Sequence, residues 1–194
     1  MKDNKDIYNK NFFNRASELE EPSAQAVALI LIKYFNPKSV IDIGCGIGIY
    51  LKEFSKRGVE ILGYDNSPEA IRSSLVGEKI KFQDLRKPLI LERKFDLCLC
   101  VEVAEHLPSE SVSTLVETLS GLSNVIFFTA ATPGQGSLEI GHINEQPNEY
   151  WIEKFAEHHF MIDKEMTENI RKEMKEENVI WWVVRNLIIF KKNL

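Results

Sequence analysis

The sequence predicts an α/β fold. It is a three-layer sandwich, with helices on both faces of a mostly parallel seven-stranded sheet whose last strand runs antiparallel. Three observations predict it. Apolar runs of strand length alternate with helix-length stretches, the pattern of repeated βαβ units. Glycines, acids and histidines fall just after the strand runs, where open parallel sheets bind ligands. The last two strand runs lack a helical crossover of the usual size, which predicts an antiparallel edge.

With 194 residues, 44% hydrophobic and 27% charged, the chain is expected to form one domain over 1–194 with a buried core. The net charge of -5 argues against a large nonspecific nucleic-acid footprint, because phosphate binding draws on clustered Lys and Arg. Cys45, Cys98 and Cys100 are odd in number and match no zinc spacing. They fit reduced thiols in an intracellular protein. The polar start, Met1 to Asp6, precedes no apolar signal core, and no window approaches the length that spans a bilayer. A cytoplasmic location is expected.

Taken in order, residues 1–22 are polar with scattered aromatics (Ile7, Tyr8, Phe12, Phe13) and read as a loose leader or a flap over the site. Residues 23–35 predict a helix with a broad apolar face, Ser23 as its N-cap and Asn36-Pro37 as its stop. Residues 39–43 are the first strand, and 46–57 the following helix, stopped by Gly58. Residues 59–64 are the second strand. Asp65 follows it, and Asn66-Ser67-Pro68-Glu69 opens a helix with proline at its first position. Residues 79–82 are a short third strand, followed by Asp84 and Leu85. Residues 95–101 are almost continuously apolar, as suits a central strand covered on both faces, and run into Glu102-Val103-Ala104-Glu105-His106.

A helix over 109–119 with Gly121 as its stop leads to the fifth strand, 124–129. Residues 130–147 form a long irregular stretch with His142, Asn144 and Gln146. Such loops in compact domains are functional or disordered, and this one is expected on the substrate side. A helix over 148–158, a sixth strand over 160–164 and a charged, partly helical connection over 165–178 follow. Residues 179–191 read as one long final strand. Its Trp181 and Trp182, like Trp151 before them, could stack on a flat substrate but are expected in the core, and its Arg185 against a buried acid or in the cleft.

The turn after the first strand carries the chemistry: Asp42-Ile43-Gly44-Cys45-Gly46-Ile47-Gly48. The spacing is Gly-x-Gly-x-Gly. A dinucleotide fingerprint needs its third glycine one place later, where Ile49 stands, so a nicotinamide or flavin site is disfavoured. No Lys-Ser/Thr pair follows, as a phosphate-cradling loop would require. An acid at the end of the second strand, Asp65, can accept hydrogen bonds from both hydroxyls of a ribose.

With a helix behind it, this DIGCGIG run resembles the first motif of the class I S-adenosylmethionine (SAM) dependent methyltransferases, over about residues 23–191. The resemblance implies a Rossmann-like fold, methyl transfer as the activity and SAM as the cofactor. The expected cofactor site comprises Asp42, Gly44, Cys45, Gly46, Gly48, Asp65, Asn66, Asp84, Leu85, Val101 and Glu102, with Asp84 on the adenine amino group.

His106 and His142 are the expected catalytic residues. If 102–106 make a helical turn, Glu102, Glu105 and His106 share one face. Three readings stay open. The Glu-x-x-Glu-His run resembles that of metal-assisted methyltransferases, which makes Glu102, Glu105, His106 and His142 candidate ligands of a divalent metal. Alternatively, His106 or His142 is a plain general base. Or the run lines the SAM site and the histidine is structural. The expected acceptor is an oxygen or nitrogen on a small molecule or a glycan- or lipid-linked intermediate. A metal-assisted RNA 2′-O-methyltransferase is the alternative, and nucleic acid ranks second as a partner. A noncatalytic SAM- or nucleotide-binding module competes from another class, and the polar loop 130–147 speaks against it. A monomer or homodimer is expected.

Overall fold

The computed structural model describes residues 7–193; residues 1–6 of the expected leader, and Leu194, lie outside them. The strands are β1 (Ser39–Ile43), β2 (Glu60–Asp65), β3 (Ile80–Phe82), β4 (Leu97–Val101), β5 (Val125–Thr129), β6 (Phe160–Ile162) and β7 (Ile188–Lys192). They form one sheet in the order β3-β2-β1-β4-β5-β7-β6. Pairing is parallel from β3 through β5, and β7 runs antiparallel to both β5 and β6. The expected fold class is borne out.

The layers follow from the period-two alternation of strand side chains. Val40, Leu97, Leu99, Phe127 and Ile189 pack on one face with α1 (Lys10–Phe35), α2 (Ile49–Ser55), α3 (Pro68–Arg72), α6 (Lys164–Glu176) and α7 (Trp181–Asn186). Ile41, Ile43, Cys98, Cys100, Ile126, Phe128 and Phe190 pack on the other with α4 (Val112–Leu122) and α5 (Asn148–Ala156). Both faces of the central strands are therefore dry, which is why these runs are apolar at most positions. All three cysteines are free and buried.

The structure corrects several boundaries. The leader is not loose from residue 10 on. One helix runs from Lys10 to Phe35 straight through Pro22, capped by the Asn9 side chain on the N–H groups of Asn11 and Phe12. Pro22 costs one helical donor, and the apolar face that α1 buries offsets it. Ser23 is thus no N-cap; its buried Oγ accepts from the Ile180 N–H (3.0 Å). Gly121 lies inside α4 rather than after it.

The long final strand is the larger correction. Sheet pairing extends only over 188–192, because β5 and β6 offer no further partner backbone. The preceding residues fold instead as α7, which seats Val183 and Val184 in the core. Trp181 is 56% exposed and Trp182 half-buried, so neither is the core residue expected; of the tryptophans only Trp151 is. Arg185 is exposed on α7 and meets no buried acid.

Candidate active site

The strand order reverses between β1 and β4, and there the carboxyl ends of the strands open into a cavity of about 490 Å³. Its floor begins with the glycine turn. Gly44 has φ +80°, and a methyl group there would come within 2.4 Å of Val103 Cγ2. Glycine is required twice over, for the backbone angle and for the approach of the turn that follows β4. The Gly44 and Cys45 N–H groups donate to the Tyr64 carbonyl (2.8 and 3.2 Å), which ties the turn to β2.

Asp65 ends β2 and is 8% exposed. It accepts from the Gly46 N–H (2.8 Å) and the Ser67 N–H (2.8 Å). A carboxylate has about four acceptor positions, so about two remain toward the cavity. Burial raises its pKa while these backbone donors pull it back. Asp42 is buried and pushed up to about 8, by burial first and by Asp65 second. Asn66, Leu85 and Val101 also line the cavity, as do Cys45 and Gly46. Gly48 starts α2. Asp84 stands outside the cavity wall, ion-paired to Arg86 (2.8 Å), which lowers its pKa.

Beyond β4 the backbone bends sharply. Glu102 has φ +52°, a region uncommon for residues other than glycine. Its N–H bonds both the carbonyl and the Oγ1 of Thr129 (3.0 Å each), and its carboxylate accepts from Asn186 Nδ2 (3.1 Å). Only Ala104–His106 form a helical turn, of the 3₁₀ kind, so Glu102 does not share a helical face with Glu105.

What converges is Glu105, His106 and His142: one potential ligand atom from each lies within 4.8 Å of the others. Glu105 is fully buried. One carboxyl oxygen accepts from the Ala131 N–H (3.0 Å); no N–H or O–H donor of the described residues reaches Oε2, and the neighbour of this carboxyl is that of Glu102. Burial, then Glu102, pushes this carboxyl well up. His106 donates from Nδ1 to the Gly141 carbonyl (3.1 Å), and His142 from Nδ1 to Glu145 (2.7 Å). Each imidazole is left with Nε2 as its free nitrogen. The two rings meet edge to face at 4.8 Å, and burial holds His106 down to about 4.

The loop 130–147 is thus a fixed wall. The Glu105 carbonyl accepts from the Ile143 and Asn144 N–H groups (2.9 and 3.0 Å). Glu145 also takes the Gly134 and Gly136 N–H groups (2.7 and 2.6 Å). Sequence reasoning missed Glu145, Asn186 and Glu20. Phe12 and Phe13, which it placed in a leader or a flap over the site, line the cavity with Tyr8, Glu20 and Tyr50. Glu145 was findable three residues after His142. Glu20 carried no spacing that pointed to the site.

The cavity sits where this strand order places a nucleotide-like ligand, with a ribose-ready acid beside the glycine turn. A family model described as methyltransferase domain matches residues 15–174. The chain belongs to this methyltransferase family. Among curated proteins, it is similar to the ubiquinone biosynthesis O-methyltransferase of Ralstonia nicotianae, 30% identical over 101 residues. That match covers 47% of this chain and 42% of that protein, so less than half of the relative is represented. In fold, it is similar to a SAM-dependent methyltransferase from Archaeoglobus fulgidus, with a TM-score of 0.62 and 20% identity over 93% of this chain and 99% of that one. Magnesium protoporphyrin IX methyltransferase from Synechocystis, with S-adenosylhomocysteine bound, gives 0.62 at 19% identity over 82% and 89%. The expected class I methyltransferase membership is borne out. No helix among the described residues is long and apolar enough to cross a membrane.

Proposed function

We propose that this methyltransferase moves the methyl group of SAM to a hydroxyl oxygen of a small aromatic acceptor, held at a divalent metal ion by Glu105, His106 and His142. The observation that carries the reading is the convergence of those three side chains beside the cavity. They fit a cation. Glu105 is buried against a second carboxyl, Glu102, and no N–H or O–H donor reaches its Oε2 among the described residues; a cation relieves this crowding of like charge. Both histidines commit Nδ1 to an oxygen acceptor, the outer-shell arrangement that fixes a ligating imidazole. When bound, a divalent ion lowers the pKa of a coordinated hydroxyl.

SAM, when bound, supplies a methyl group already activated by its sulfonium. The protein must therefore position the partners and exclude water. Asp65 and the glycine turn are the proposed hold on the ribose side, with Asn66 and Leu85 beside them. Phe12, Trp181 and Trp182 give the cavity flat apolar walls suited to an aromatic ring. The Ralstonia nicotianae relative is an O-methyltransferase, which supports an oxygen acceptor.

A second reading has its own observation. Glu145 orients His142 at 2.7 Å, as a carboxylate orients a general base. One experiment separates the two: labelled SAM offered with a panel of aromatic diols and phenols, with and without chelator, alongside metal analysis. The metal reading expects transfer lost on chelation and restored by magnesium or manganese, and no bound metal in Glu105→Ala. Full activity in chelator leaves His142 as the base.

A further inference from the structure

Helix α1 brings two consecutive acids to the edge of the cavity, and they meet different surroundings. Glu21 is ion-paired with Lys52. Glu20 is half-buried and lines the cavity; among the described residues it has neither a hydrogen bond nor an ion pair. The charge it feels is another acid, Glu102, which together with burial raises its pKa to about 7. No lysine or arginine lines the cavity among the described residues, and none of these residues neutralises Glu20.

A second group points to the same place. Tyr50 is 5% exposed and lines the cavity, yet its hydroxyl has no hydrogen-bond partner among the described residues. Glu20, Asp42 and Glu102 are the charges around it, and burial keeps the phenol protonated and therefore a donor. A buried donor without an acceptor and a half-buried acid without a cation are both costly in the empty cavity. A ligand carrying one ammonium and one carboxylate close together removes both costs at once.

We propose that Glu20 and Tyr50 clamp the amino-acid end of SAM, Glu20 accepting from its ammonium and Tyr50 donating to its carboxylate. The assignment rests on the SAM reading above. That reading puts the ribose at Asp65 and the acceptor at His106 and His142, and the stretch of wall formed by Glu20, Asp42 and Tyr50 is left for the third part of the molecule. Glu20 and Tyr50 are positioning residues for the cofactor, and neither takes a proton from the acceptor.

The test is calorimetry with three ligands: SAM, S-adenosylhomocysteine and 5′-methylthioadenosine, which lacks the amino-acid part. Glu20→Gln is expected to weaken SAM and S-adenosylhomocysteine alike by about ten- to a hundredfold, the range of a hydrogen bond to a charged group. Tyr50→Phe should weaken both by about tenfold or less. Both variants should bind 5′-methylthioadenosine as the wild type does, which also shows that they are folded. Unchanged SAM affinity in Glu20→Gln overturns the clamp. Equal weakening of all three ligands overturns it too, because the damage is then to the whole cleft. Weakening of SAM alone would place Glu20 at the sulfonium and reject the ammonium assignment. A wild type that binds none of the three takes down the cofactor reading, and this assignment with it.

Discussion

Asp42 is buried in β1, one residue before the strand ends, and the charge nearest in effect is the like-charged Asp65. The consequence is a pH-dependent stability with a definite sign. In the unfolded chain Asp42 titrates near 3.8, as an ordinary aspartate does, and in the folded chain it is pushed up to about 8. Between those values folding takes up a proton, so the contribution of Asp42 is fully present below about pH 4 and is lost as pH rises through about 8. Denaturant unfolding of the ligand-free protein should show stability falling from pH 5 to pH 8. Asp42→Asn should flatten that slope by up to about 1.4 kcal/mol per pH unit. Identical slopes in the two proteins would show that Asp42 ionises freely in the fold. At this scale the sequence was readable where chemistry sits at a strand end: Asp42, Asp65, Glu105, His106 and His142 all border or adjoin the cavity. It was mute about Tyr50 and Glu20, because an aromatic early in one helix and an acid in another look the same whether they face solvent or a ligand.

Among the elements, the loop 130–147 depends on one small residue. A methyl group on Gly136 would lie 2.1 Å from His142 Nδ1, so the ring could not keep its bond to Glu145. Gly136→Ala should therefore lower turnover by about ten- to a hundredfold while SAM affinity stays within about twofold. Steady-state kinetics beside calorimetry checks this, and equal losses in both would point to general collapse of the site. The parallel core was legible because β1, β4 and β5 are buried on both faces and read as largely apolar runs. The run 179–191 misled for the same reason. Valine, isoleucine and tryptophan favour a strand, but the available partner backbone ends at Ile188, and the tertiary setting turned residues 181–186 into α7. Ser23 misled in the opposite direction, since a serine inside α1 read as the N-cap that ends a leader.

For the whole molecule, the sheet separates two kinds of tryptophan. Trp151 is fully buried in the core of one face, while Trp181 and Trp182 border the cavity on the other. Binding of S-adenosylhomocysteine should change the intrinsic fluorescence. The change should vanish in the double variant Trp181→Phe, Trp182→Phe, where only Trp151 emits, and persist in Trp151→Phe. A full signal in the double variant would place the ligand elsewhere. The same architecture decides how new specificities could be made from this chain. Four hydrogen bonds join the loop 130–147 to Glu105 and His106: those of Ala131, Ile143 and Asn144 to Glu105, and that of His106 to the Gly141 carbonyl. Loop and turn are thus one heritable cassette split across the sequence. A chimera that imports the loop alone should be poorly expressed or inactive. One that imports residues 102–106 with it should fold and carry over the donor's acceptor preference. Recombination that cuts between them breaks the unit, so acceptor range in such a chain is expected to drift by point changes at exposed positions such as Leu138 and Ile140 rather than by loop exchange.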